Sequence, residues 1–138
     1  MGLMSDLKEA GRDVILQEDL DYIANSNLPF DELRNTNILV TGATGLIGVF
    51  LVKALLCVNR VNNLHLRVYA LVRNKEKAEQ IYKDLLQRND ILLVVGDVND
   101  KISVSQRMDY IIHCASVTAS KIMVSKPVET LLTSVEGT

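Results

Sequence analysis

The chain has 138 residues, which is enough for one domain with a hydrophobic core. Hydrophobic residues make up 48% of it and charged residues 23%, as is typical of a soluble globular protein. The formal net charge of -2 and the absence of a basic run argue against nucleic acid or an anionic membrane surface as a partner.

The sequence shows no targeting, membrane-spanning or metal-binding pattern. The stretch MGLMSDLKEAGRD has early acids and no long apolar core, unlike a signal peptide, and no apolar run approaches ~20 residues. Cys57 and Cys114 lie far apart in apolar runs, and with only His65 and His113 besides them they match no metal-ligand spacing. We therefore expect buried, reduced thiols, no metal and a cytoplasmic protein that does not contact a membrane.

Residues 1–36 differ in pattern from the rest of the chain. The stretch SDLKEAG predicts a short helix that Ser5 caps and Gly11 ends. The stretch QEDLDYIANSN predicts a second helix with one apolar face. We interpret residues 1–36 as a helical N-terminal extension packed on a domain that spans residues 37–138.

From Asn37 onward the predicted elements alternate between strand and helix. Strands are predicted for the apolar runs NILVT, LHLRVYALV, DILLVVGDV and DYIIHCAS. Helices are predicted for LIGVFLVKALLCV, for KEKAEQIYKDLLQR and from about Pro127. This order predicts an α/β fold, a Rossmann-type parallel sheet with helices on both faces, truncated after about four strands in the order 3-2-1-4. The fourth strand is then an exposed edge, through which we expect self-association.

Three glycines at intervals of three, Gly42, Gly45 and Gly48, lie between the first strand and the first helix, in NILVTGATGLIG. A turn there presents backbone N–H groups and a helix N-terminus, which attract an anion. The missing side chains let a diphosphate approach and let the helix pack on the sheet. The spacing T-G-x-x-G-x-x-G differs from G-x-G-x-x-G, and a glycine-rich turn alone is weak evidence. Between a strand and a helix of a βαβ unit, however, it favours a dinucleotide site.

The turn TGATGLIG resembles the nucleotide-binding turn of the extended short-chain dehydrogenase/reductases, the NAD(P)-dependent nucleoside-diphosphate-sugar epimerases and dehydratases. GDV, HCAS and SVEGT follow in that family's order across residues 37–138, with Ser134 in place of the usual Asn. The resemblance implies NAD(P) as cofactor and a nucleotide-sugar substrate for the parent enzyme. Two alternatives stay open, a turn-capping role for Asp97 and a hydrogen-bonded core position for His113. The cofactor-binding residues that the resemblance implies are Gly42, Thr44, Gly45, Leu46, Ile47, Gly48, Asp97, Val98, Cys114, Ala115 and Ser116.

Arg73, at the end of the second predicted strand, bears on the choice of cofactor. NAD-binding folds place an acid there to accept from the ribose hydroxyls, but this chain has no Asp or Glu from Val49 to Lys75. A guanidinium can instead bind a 2′-phosphate with charge-assisted hydrogen bonds. We therefore count Arg73 among the cofactor-binding residues and favour NADP over NAD, with a solvated loop position as the alternative.

The Tyr-x-x-x-Lys pair to which this family's proton transfer is assigned is absent from the chain. The tyrosine needs a nearby lysine, because a phenol with a pKa of ~10 is a poor base at neutral pH. The residues four positions after the four tyrosines are Ser26, Arg73, Leu86 and Cys114. We therefore predict no catalytic residue and expect these 138 residues to be inactive alone. The alternatives are a thioester or fatty-acyl reductase of the same superfamily and a non-catalytic NAD(P)-sensing protein.

Overall fold

The computed structural model describes residues 8–115. Its strands are β1 (Asn37–Thr41), β2 (Arg67–Val72), β3 (Ile91–Val95) and β4 (Tyr110–His113). Its helices are α1 (Val14–Ala24), α2 (Leu46–Asn62) and α3 (Lys75–Tyr82), with 3₁₀ turns at Phe30–Leu33 and Lys83–Gln87. None of these described helices is both long enough and apolar enough to cross a membrane.

The four strands form one parallel sheet in the order β3-β2-β1-β4. In the centre of the sheet Val40 of β1 pairs with Ala70 of β2 on one side and with Ile112 of β4 on the other. All carboxyl ends of the strands therefore meet at one end of the sheet, which we call the carboxyl end, and all amino ends meet at the amino end. The predicted α/β Rossmann-type class and strand order are confirmed.

The hydrophobic core fills one face of the sheet. Alternate residues of the strands, such as Val40 and Val68, share one buried cluster there with Val52 of α2 and Tyr82 of α3. Helices α2 and α3 lie on this face, and α1 packs against α2, adding Leu20 to the same cluster. The other face has a smaller cluster of Leu39, Tyr69 and Leu71, against which the side chains of Val94, Val98, Ile102 and Met108 pack. The helix predicted near Pro127 lies outside the described residues.

Local hydrogen bonds move the helix boundaries away from the predicted ones. Helix α1 begins at Val14 rather than Gln17, because the Asp13 side chain caps it by accepting from the N–H of Leu16 at 3.0 Å. The helix predicted over SDLKEAG is wrong in its described part, where residues 9–12 form turns. Helix α3 and its continuation also differ from the predicted single helix, because Lys83 has a φ of 33° and the chain continues as a 3₁₀ turn.

Glu9 is tied to the amino end of the sheet by a largely buried ion network of Glu9, Arg60, Arg88 and Asp90, called here the Glu9 network. The fully buried Glu9 carboxylate accepts from Arg60 Nε at 3.0 Å and also from Arg88. Arg88 reaches Asp90 as well, at 2.6 Å, just before β3 begins. Burial alone would raise the pKa of Glu9, but the hydrogen bonds from Arg60 and Arg88 lower it to about 2. The division of the chain at residue 36 stays a prediction.

Candidate functional site at the carboxyl end of the sheet

The turn from β1 to α2 can be built only with glycine at its first position. Gly42 has a φ of 64°, in the left-handed region that other residues rarely adopt. A Cβ there would also lie 2.7 Å from the backbone of Cys114 and Ala115, which follow β4. The start of the turn and the residues after β4 therefore touch backbone to backbone.

The other two glycines have different environments. A Cβ on Gly48 would overlap the carbonyl oxygen of Gly42, so this glycine allows the first turn of α2 to pack directly on the β1–α2 turn. At Gly45 a Cβ would meet, among the atoms of residues 8–115, only that same oxygen, at 3.4 Å, and Gly45 is exposed. Gly48 thus serves internal packing, whereas Gly45 leaves open surface for a ligand.

Within the described part of the chain, the N-terminus of α2 has no side-chain partner that would compete with an anion. No side chain of residues 8–115 caps it, and its first turn contains no acid. Leu46 and Ile47 are 90% and 67% exposed, although both are apolar. The first N–H groups of a helix need an external acceptor, and the helix dipole favours a negative one. This terminus therefore has amides that suit an anion, with two exposed apolar side chains beside them.

Two hydrogen bonds of the Ala43 backbone hold the β1–α2 turn in place. Its N–H donates to the Leu71 carbonyl at 3.3 Å, and its carbonyl accepts from the hydroxyl of Tyr82. Both Ala43 and Tyr82 are buried, and burial raises the pKa of Tyr82, so the phenol stays protonated and donates. Sequence reasoning missed this residue, because a tyrosine in an amphipathic helix carries no signal that it reaches a turn 39 positions away.

Thr41 links the end of β1 to the HCAS turn. Its hydroxyl oxygen accepts from the N–H groups of Cys114 at 3.1 Å and Ala115 at 3.3 Å, and it lies 2.8 Å from His113 Nδ1. The Thr41 hydroxyl and His113 Nδ1 therefore share a hydrogen bond, and the N–H of Cys114 is divided between this hydroxyl and the Thr41 carbonyl, at 3.2 Å. Nε2 is buried without a hydrogen-bond partner among the described residues. His113 therefore has a hydrogen bond within the sheet, as its core alternative requires, and Thr41 is a contact that sequence reasoning missed.

Arg73 and Asp97 lie side by side at the carboxyl ends of β2 and β3. Their closest approach is 3.7 Å, between Arg73 Nη1 and Asp97 Oδ2, and the Arg73 side chain is 78% exposed. Asp97 Oδ1 accepts from the N–H of Asn99 at 2.9 Å, so the turn-capping alternative describes a real contact of this side chain. Val98 packs on the smaller apolar cluster of the sheet.

The structure brings nearly all the predicted cofactor-binding residues to the carboxyl end of the sheet. Ser116 lies outside the described residues, and the cofactor roles of the others stay predictions. Of the two thiols, Cys57 is buried as expected, but Cys114 is only partly buried. No group of three or more potential metal ligands occurs between residues 8 and 115. The described residues brought to this end are Gly42, Thr44, Gly45, Leu46, Ile47, Gly48, Arg73, Asp97, Val98, Cys114 and Ala115.

Comparison with known proteins supports the fold and a family. The model of the NmrA-like family matches residues 34–130, which is more than half of the chain. No curated protein matches. The family match supports the broad NAD(P)-binding class that the sequence predicts. The epimerase and dehydratase branch and the preference for NADP stay predictions.

Two solved structures are similar to the chain. One is the X-ray structure of Pen from Bacillus thuringiensis, with a TM-score of 0.61, 20% identity and coverage of 76% of this chain and 32% of that one. The other is the crystal structure of an aureusimine biosynthetic cluster reductase domain, with a TM-score of 0.46, 28% identity and coverage of 83% and 35%. The first supports the fold alone, and the second carries no argument. The chain spans about a third of the length of either structure.

Proposed function

Because the chain belongs to the NmrA-like family, which implies NAD(P) binding, we propose that it is the dinucleotide-binding part of a reductase-type enzyme. The bound nicotinamide would supply hydride transfer, and the residues of this chain would bind and orient the dinucleotide. Because the chain spans about a third of the length of the similar Pen structure, we extend the proposal to a longer protein. Within residues 8–115 we assign no residue to proton transfer.

The observation that carries the proposal is the combination of Gly45 and the N-terminus of α2. The glycine is exposed, and a Cβ on it would meet a single oxygen of the described residues. The helix behind it has no acid in its first turn and no side-chain cap from the part of the chain that the structure describes. A helix start of this kind normally has Ser, Thr, Asp or Asn at the cap. Glycine at the cap position of α2 lowers the stability of the helix slightly and leaves the first amides available to a diphosphate.

For the substrate we propose a nucleoside-diphosphate sugar. The support is the order of TGATGLIG, GDV, HCAS and SVEGT along the chain, which is that of the epimerases and dehydratases. An assay of the longer protein with UDP- and dTDP-sugars, beside acyl thioesters and aldehydes, tests this proposal. If the protein turned over acyl thioesters but no nucleotide sugar, the proposed substrate would be wrong and an acyl thioester would take its place.

Calorimetric measurement of the dissociation constants of NADP and NAD for the 138-residue chain tests the proposed cofactor role. The informative variant is Gly45→Asp. The residue has a φ of -78° and a ψ of 168°, a conformation that suits an N-cap residue, so aspartate should cap α2 and leave stability equal or a few tenths of a kcal/mol higher. Its carboxylate would occupy the position of the diphosphate and repel it, and we expect binding to weaken by about tenfold or more.

Gly45→Asn is the matched control. Asparagine has nearly the same shape and also caps a helix, but it has no charge, so it should weaken binding less than aspartate does. Equal affinity of the aspartate variant and the unsubstituted chain for both dinucleotides would contradict the proposed site. Absence of dinucleotide binding by a folded, unsubstituted chain would contradict the proposed function itself.

A further inference from the structure

The pair Arg73 and Asp97 has a consequence for the choice between cofactors. Resting on the proposed function, we propose that Asp97 reduces the preference for a 2′-phosphorylated adenine dinucleotide by competing with that phosphate for Arg73. The selectivity of the site is then set by a cation and an acid together, and not by Arg73 alone.

The sheet register places the two side chains next to each other. Val72, the last residue of β2, pairs with Val95, the last residue of β3. Arg73 follows β2 directly, and Asp97 follows β3 after one residue, so both lie at the carboxyl end of the sheet. Among the described residues Asp97 is the acid within ion-pair distance of Arg73, at 3.7 Å.

The acid is held in place, whereas the arginine is free to move. Asp97 Oδ1 accepts from the N–H of Asn99 at 2.9 Å, and the Asp97 carbonyl accepts from the N–H of Asp100 at 3.0 Å. These bonds fix the carboxylate with Oδ2 toward the guanidinium. The Arg73 contact is longer than a hydrogen bond, and most of its side chain is exposed, so Arg73 can turn to a ligand.

The two dinucleotides affect this pair differently. A ribose with a free 2′-hydroxyl adds no charge, so Arg73 can stay beside Asp97 when NAD binds. A 2′-phosphate must draw the guanidinium away from Asp97 and also lies near a second negative charge. Asp97 therefore opposes the phosphate that Arg73 attracts. Exposed ion pairs are weak, so we expect an effect of about two- to fivefold on affinity, and less at high salt.

The test is the ratio of the NAD dissociation constant to the NADP dissociation constant, measured by calorimetry at low salt. Asp97→Asn keeps an oxygen that accepts from Asn99 and removes the charge, so the ratio should rise about two- to fivefold. Because both ligands share the adenine and the diphosphate, any general loss of folding or of adenine contact cancels in the ratio.

Arg73→Ala and the double variant Arg73→Ala/Asp97→Asn show whether the effect passes through Arg73. We expect Arg73→Ala to lower the ratio, and Asp97→Asn to shift it less in that background than in the unsubstituted chain. An unchanged or lower ratio in Asp97→Asn, or an equal shift in both backgrounds, would overturn the inference while leaving dinucleotide binding intact. If the unsubstituted chain binds neither dinucleotide, the proposed function fails and the inference with it.

Discussion

The two ends of the sheet use their polar groups in opposite ways. At the amino end, Glu9, Arg60, Arg88 and Asp90 are bound to one another in a buried network. At the carboxyl end, the amides of α2 have no side-chain cap, His113 Nε2 is buried without a partner among the described residues, and Arg73 is in loose contact with one acid.

This difference separates stability from binding. A charge that is fully paired inside the fold resists removal, because its partners would be left buried and unpaired. Exposed groups without internal partners, such as the first amides of α2, contribute little to stability but can exchange water for a ligand. The buried His113 Nε2 differs from them, because a buried polar atom without a partner among the described residues costs stability. The amino end therefore holds Glu9 and the residues around it on the sheet, and the carboxyl end is where we propose that a dinucleotide binds. The predictions below test this separation.

The largest effect is expected from Glu9→Ala. It would leave Arg60 and Arg88 without their shared carboxylate, and we expect the free energy of unfolding to fall by about 3–5 kcal/mol. Denaturant titration measures it. The control is Asp31→Ala, which removes a carboxylate that is 86% exposed in its pair with Arg34 and should cost less than about 1 kcal/mol. Similar losses in the two variants would contradict the role given to the Glu9 network.

The acid dependence of stability should follow from the same residue. The pKa of Glu9 is about 2 in the fold, against an ordinary value of 4.5. Since the folded value is the lower one, its contribution is fully present above about pH 5 and is lost as the pH falls toward 2; the whole amounts to about 3 kcal/mol.

We therefore expect the stability difference between the unsubstituted chain and Glu9→Gln to shrink by about 2 kcal/mol between pH 6 and roughly pH 3. Other carboxylates titrate in both proteins and largely cancel in this difference. Denaturant titrations at several pH values provide the measurement. A difference that does not change with pH would show that Glu9 does not titrate as described.

At the carboxyl end the expected loss is smaller and includes binding. Gly42→Ala places a Cβ at a φ of 64° and 2.7 Å from the backbone after β4, for a cost of about 2–3 kcal/mol and loss of dinucleotide binding. Gly11→Ala is the matched control, because Gly11 has a φ of 59° but residues 8–115 place no atom within 4 Å of the added Cβ. It should cost about 1 kcal/mol and leave binding unchanged. Equal losses of stability in the two variants would show that the contact between the turn and the residues after β4 is unimportant.

The smallest effect concerns self-association, which we propose to occur through β4. Within the described residues β4 pairs with β1 alone, and Ile111 on it is 65% exposed. Ile111→Lys should raise the dimer dissociation constant in sedimentation by roughly a few-fold, because lysine blocks strand pairing at edges. Ile15→Lys, at an exposed site on α1, should not change it. A monomer at all concentrations would contradict the proposal.

The parts of the fold and site that could be predicted have local signals. Apolar runs, helical spacing and the three glycines predicted the strands, α2, the sheet class and the position of the turn, because each depends on residues close together in the chain. Helix boundaries were less accurate, since the cap formed by Asp13 and the break at Lys83 depend on single side chains and backbone angles.

Contacts between distant residues could not be predicted in this way. Glu9 and Arg88 lie 79 positions apart, and nothing near either residue indicates the other. The same is true of Tyr82 and Ala43, and of Thr41 and the HCAS turn. Sequence alone therefore determined which glycines form the turn and on which strand ends the charges lie, because those properties are local. Only the packing of the helices on the sheet decided which groups are used up inside the fold and which remain available to a ligand.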